Sequence, residues 1–127
     1  MISAKRANWF AIAGAVFLAA IAVDSLVPVA WQIRTGLHWL IEHFLAYFVV
    51  AFVLCFAWSR PFIVAGALMA LAGATEALQG LTADRIPDLP TAFCGAAGAL
   101  TGALLADLCM GARRERWAGA QAPADRA

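Results

Sequence analysis

Two short stretches carry side chains able to do chemistry. In EHFLAYFVVAFVLCFAW, residues 42–58, Glu42, His43 and Tyr47 stand at the mouth of an otherwise apolar run. In GATEALQGLTADRIPDLP, residues 73–90, Glu76 and Gln79 close another apolar run, and Arg85 and Asp88 follow. A carboxyl beside an imidazole can orient and charge it, which is acid/base chemistry. A guanidinium can meet phosphate or carboxylate through paired hydrogen bonds. A phenol and an amide add neutral hydrogen bonds. His43 and Tyr47 are four apart, and Glu76 and Gln79 three apart, so each pair shares one helix face. The adjacent pair Glu42–His43 would diverge by about 100° on a helix and is not a ligand pair. There is no H-E-x-x-H, and Cys55, Cys94 and Cys109 form no C-x-x-C, so neither a metal nor a cofactor is expected. The cysteines read as small apolar packing residues. No serine lies near the cluster to act as a nucleophile, and Thr82 and Thr91 read as ordinary, so catalysis is not the expected role.

The elements that must position these groups follow from composition. The 127-residue chain is 64% hydrophobic and 13% charged, with mean hydropathy +0.80. A soluble domain is about half apolar and about a quarter charged. Four runs, about 8–27, 38–58, 61–80 and 91–110, are long enough to span a bilayer, which takes roughly 17–25 residues. Lipid offers backbone groups no partner, so the spans are helices; the alternation of a β-barrel is absent. The sequence therefore predicts an all-α, polytopic four-transmembrane-helix bundle over 1–110, followed by a polar, disordered tail over 111–127. A signal-peptide reading of the first run, cleaved at "AIA" (20–22), competes with an uncleaved anchor; the apolar run continuing through VDSLVPVAW favours the anchor. The net charge of +1 argues against a nucleic-acid partner.

Lys5, Arg6, Arg60, Arg113, Arg114 and Arg116 fall at one end of this bundle, against Arg34 and Arg85 at the other. The positive-inside rule then puts both termini in the cytoplasm, and the expected location is the bacterial inner (plasma) membrane. Trp9 and Trp58 fall at the inner interface, and Trp31 and Trp39 near the outer one. His38 reads as an interfacial residue. Asp24 and Asp107 lie at opposite ends of the first and fourth spans.

The tight "SRP" turn makes the second and third spans antiparallel neighbours. Counted from that turn, Tyr47 and Glu76 differ in depth by about 6 Å, and His43 is level with Glu76. Polar groups inside a membrane cost free energy unless they face inward and pair. The two clusters should thus meet in one outward-facing polar pocket of His43, Tyr47, Glu76, Gln79, Arg85 and Asp88, with Arg85 reaching Glu76. A polar clamp holding no ligand is the plainer alternative. Gly66, Ala70, Gly73 and Ala77 on the third span, and Gly95, Gly98 and Gly102 on the fourth, are small residues at close-packing spacing. They suggest a seam between those spans through Gly73, Ala77, Gly98 and Gly102, or else a homodimer seam.

Taken in order, these residues resemble the VanZ-like membrane proteins. The pattern is His43-Phe44 with Tyr47, then Glu76 with Gln79, then Arg85-Ile86-Pro87-Asp88-Leu89, then Gly98 and Gly102. The resemblance covers about residues 39–106. It departs where the family often carries Asp-Lys, here Trp39 and Leu40, and where it often carries D-x-x-x-N, here Thr91 and Gly95. The resemblance implies an integral protein of the cell envelope in a family named for a member linked to glycopeptide-antibiotic resistance. It speaks to location and site more than to a reaction.

Three roles follow. The first is a non-catalytic protein binding an amphiphile at the outer leaflet: a membrane-lipid headgroup, a lipid-linked glycan or a lipoglycopeptide. The second is an accessory subunit of a larger membrane complex, or a homodimer. The third is a lipid-modifying enzyme using Glu76 and His43.

Overall fold

The computed structural model describes residues 4–27, 29–31, 36–81 and 86–120, with backbone alone for residue 29 and residues 117–120. Within them the chain is all-α. It forms α1 (Ala4–Leu26), a 3-10 turn (Val29–Trp31), α2 (Trp39–Ala57), α3 (Pro61–Gln79) and α4 (Leu89–Ala120). All four α-helices are long and apolar enough to cross a membrane, which makes this a multi-pass membrane protein. Their bounds follow the apolar runs except in the tail. The irregular tail expected from Gly111 is corrected over its first ten residues, because α4 continues to Ala120. The segment ARRERWA is rich in alanine, arginine and glutamate, strong helix formers with nothing to stop the helix at Gly111.

Local chemistry sets the helix ends. His38 is the N-cap of α2: its backbone is extended, its carbonyl receives the N–H groups of Ile41 and Glu42, and its Nδ1 accepts from Leu40 N at 3.4 Å. Pro61 occupies the first turn of α3, where a missing N–H costs nothing. Gly36 holds φ +85°, a conformation that favours glycine, in the turn leading into α2.

α4 packs most extensively against α2 and next against α3, whereas the consecutive pair α2 and α3 touch much less. The core is made of Tyr47, Val50, Ala51, Leu54 and Cys55 from α2, Val64, Ala65, Leu68 and Ala72 from α3, and Ala99, Ala103 and Ala106 from α4. Of the three cysteines only Cys55 is buried; Cys94 is half-buried and Cys109 exposed.

The expected seam between α3 and α4 is therefore corrected. A Cβ on Gly98 would strike the carbonyl of Phe44, and one on Gly102 that of Phe48, so both glycines bring α4 against the backbone of α2. Gly73 meets nothing within 4 Å, and with Ala77 it lies on an exposed face of α3. The bulk of α2 on this side is displaced into a ladder of phenylalanines at four-residue spacing. Ring centroids are 6.1 Å apart for Phe44–Phe48, 6.2 Å for Phe48–Phe52 and 5.1 Å for Phe52–Phe56, and Phe10 of α1 extends it at 5.4 Å. α1 also reaches α2 at Gly14, where a side chain would strike Leu54.

Gly98→Ala should destabilise the bundle by roughly 1–3 kcal/mol, since the added methyl meets backbone that cannot rotate away. Gly73→Ala should be neutral, or stabilising by up to about 1 kcal/mol through helix propensity. Thermal unfolding in detergent distinguishes them, and equal shifts for the two variants would contradict this packing.

Candidate functional site

At the end of the bundle away from the α2–α3 turn, side-chain hydrogen bonds tie all four helices together, with α3 as the hub. Tyr47 Oη of α2 lies 3.3 Å from Thr75 Oγ1 of α3. Thr75 Oγ1 is also 3.0 Å from the carbonyls of Leu71 and Ala72, so its hydroxyl can serve as acceptor to the phenol and donor to its own helix. Gln79 donates from Nε2 to the carbonyl of Ser25 at the end of α1, at 3.2 Å. Glu76 accepts the backbone N–H of Asp88, the residue just before α4. Asp88 in turn caps α4. Its carbonyl receives the N–H groups of Thr91 and Ala92, and its Oδ2 accepts the Thr91 hydroxyl at 2.7 Å.

Burial divides these residues into two sets. Tyr47, Thr75, Glu76, Gln79, Ser25 and Thr91 are buried, Glu76 being only 5% exposed. Among the described residues, every buried side-chain nitrogen and oxygen has a partner. His43 and Asp88 are half-buried and open toward the surface. The pairs that share a helix face therefore divide differently: Glu76 and Gln79 both turn inward, while Tyr47 is far more buried than His43.

Tyr47 and the α3 cluster do meet, through Thr75. His43 does not join them by a hydrogen bond: its Nδ1 lies 3.2 Å from the carbonyl of Trp39 in its own helix, and Glu76 is engaged with Asp88. The Glu76–His43 pair that the enzyme reading needs is thus not formed. Arg85 lies outside the described residues, as does Thr82. Among the described residues no three His, Cys, Asp or Glu side chains are grouped to hold a metal ion.

Thr75 and Ser25 of the network were not singled out in the sequence, and Thr91 read there as ordinary. Thr75 precedes Glu76 and stands four residues before Gln79, a signal of a shared face. Ser25 interrupts the apolar run of α1 beside Asp24. Thr91 stands three residues after Asp88, the spacing of a cap partner. Gly95 has a packing reason: a Cβ there would lie 3.0 Å from Tyr47 Cδ2 and 3.2 Å from Ala72 Cβ, so its absence admits the phenol ring between α3 and α4.

Comparison with protein-family models, with curated proteins and with solved structures finds no match for this chain. The functional reading therefore rests on the geometry and the residue pattern.

Tyr47→Phe and Thr75→Val should each lower stability by roughly 0.5–1.5 kcal/mol, the net worth of one buried hydrogen bond. Because they remove the same bond, the double variant should lose clearly less than the sum. A detergent unfolding cycle in which the two losses simply add would refute the Tyr47–Thr75 coupling.

Proposed function

We propose that this is a VanZ-like, non-catalytic protein of the bacterial inner (plasma) membrane, with both termini in the cytoplasm. At its outer-leaflet end it receives the polar head of an amphiphile: a lipid headgroup, a lipid-linked glycan or a lipoglycopeptide. The observation that carries the reading is the convergence of all four helices on one hydrogen-bonded polar end, with His43 and Asp88 left open beside it. Ionisable groups at membrane depth are costly and tend to mark functional sites.

Tyr47, Glu76 and Gln79 form the platform rather than the contact surface, since their polar atoms are buried and engaged. The groups offered to a ligand are His43, Asp88 and, three residues earlier in the chain, Arg85. A carboxyl accepts a sugar hydroxyl or an amine, and a guanidinium meets a phosphate. A lipid-linked glycan presents both kinds of group. Catalysis by Glu76 and His43 is disfavoured because Glu76 is engaged with the Asp88 N–H and makes no pair with His43.

One observation favours the accessory-subunit or homodimer reading. The stripe Gly66, Ala70, Gly73 and Ala77 faces outward on α3, and the two glycines meet nothing within 4 Å.

Native mass spectrometry after gentle extraction should show a retained amphiphile. Arg85→Ala should reduce its retention about tenfold or more, as loss of a charge-assisted contact does, and Tyr47→Phe should change it little. Equal retention in wild type and Arg85→Ala would reject the site. A reporter active only outside the cytoplasm, fused after residue 111, should be silent; activity there would reverse the topology.

A further inference from the structure

The opposite end of the bundle holds a cleft that the polar end does not explain. It opens at the α2–α3 turn with a volume of about 490 Å³, lined by Ala57, Trp58, Ser59, Arg60, Ile63 and Val64. Trp58, Ile63 and Val64 also wall a second, almost wholly apolar cavity of about 280 Å³ that reaches Leu18 on α1 and Leu71 on α3. The two adjoin at these shared residues, as two arms of one groove. It exists because α1 packs on α2, through Phe10–Phe56 and Gly14–Leu54, and makes far less contact with α3. From Ile63 to Leu71 it follows about 12 Å of helix.

Its mouth is basic. Arg60 is exposed, makes no side-chain cap to α3, and among the described residues its guanidinium has no hydrogen bond or carboxyl partner. Among the described residues, Lys5, Arg6, Arg113, Arg114 and Arg116 belong to the same end of the bundle, where Glu115 and Asp107 are the acidic ones. Trp58, 59% exposed, stands beside the mouth as an interfacial indole. A soluble anion would leave the apolar walls unmatched, and a zwitterionic lipid would leave the cationic mouth without a net counter-charge. Basic pockets between spans recognise anionic headgroups in this way.

We propose that this groove binds one anionic glycerophospholipid, its phosphate beside Arg60 and an acyl chain between α1 and α3. The site is separate from the polar end and does not depend on that reading.

The test is native mass spectrometry of the delipidated full chain titrated with phosphatidylglycerol or phosphatidylcholine. Wild type should bind one phosphatidylglycerol about fivefold more tightly than phosphatidylcholine, the factor expected of one basic residue beside an anionic headgroup. Arg60→Ala should erase that preference, Arg60→Lys should keep most of it, and Arg114→Ala should leave it intact. Ala67→Phe, which fills the apolar arm at an exposed position of α3, should weaken both lipids alike. The proposal is overturned if wild type shows no preference or Arg60→Ala retains it. It is equally overturned if Arg114→Ala removes the preference as fully, which would make it a property of the general charge field. Unchanged binding of both lipids by Ala67→Phe would remove the acyl arm.

Discussion

The hydrogen bond from the Asp88 backbone to the Glu76 carboxyl is the constraint on which the polar end depends. A part-buried backbone N–H left without an acceptor costs free energy, and the start of α4 finds its acceptor within the protein. Glu76 supplies it from one turn inside the end of α3. The bond fixes where α4 begins relative to α3. That placement seats Gly95 against Tyr47 and Ala72, and brings the Tyr47 hydroxyl to Thr75. Asp88 can then cap α4 through its own carbonyl and bind Thr91. A carboxyl at this point also complements the partial positive charge at a helix N-terminus.

The two ends of the bundle solve the packing problem differently. Lipid tails are as apolar as leucine, so apolar side chains alone do not draw spans together. At one end, hydrogen bonds between helices supply the attraction. Along the rest, close backbone approach does so. Gly98 and Gly102, with Ala99, Ala103 and Ala106, let α4 lie against α2 with no bulk between them. The volume α2 needs is carried to one side as the phenylalanine ladder. α1 is joined less tightly, through Gly14, Phe10 and the Gln79–Ser25 bond, and that looseness opens the groove beside α3.

How much of this was legible in the sequence depends on what each signal encodes. Hydropathy encodes length in lipid, so the four spans and the all-α class followed directly. Polar residues in apolar runs encode a need for partners, so the meeting of α2 and α3 near Tyr47 could be anticipated. The partner itself could not, because Thr75 competes with His43 and Glu76 on geometry that a linear count does not resolve. Small-residue spacing says which face of a helix is thin, not which neighbour uses it. Small residues at matching spacing on the third and fourth spans suggested that the two share a seam, but α4 spends Gly98 and Gly102 on α2 and leaves Gly73 outside. The helical start of the tail was missed because polarity was taken as a sign of irregular chain, although Arg, Glu and Ala favour helix whether or not lipid surrounds them.

The same separation of roles bears on what the polar end can recognise. A buried carboxyl with its backbone partner in place offers a ligand little unless that ligand displaces α4, and displacing α4 would cost the whole network. On the proposed reading, selectivity would come from the rim, where His43 and Asp88 are half-buried, and from Arg85. Rim groups sit at higher dielectric than the interior, so on that reading the charge-assisted contact of Arg85 would act together with further polar contacts and insertion of a lipid chain. A head bearing both hydroxyls and phosphate meets that requirement better than a single charge does. If a head binds there, the hydrogen-bonded platform beneath would hold the rim groups in place, so less conformational entropy would be lost on binding.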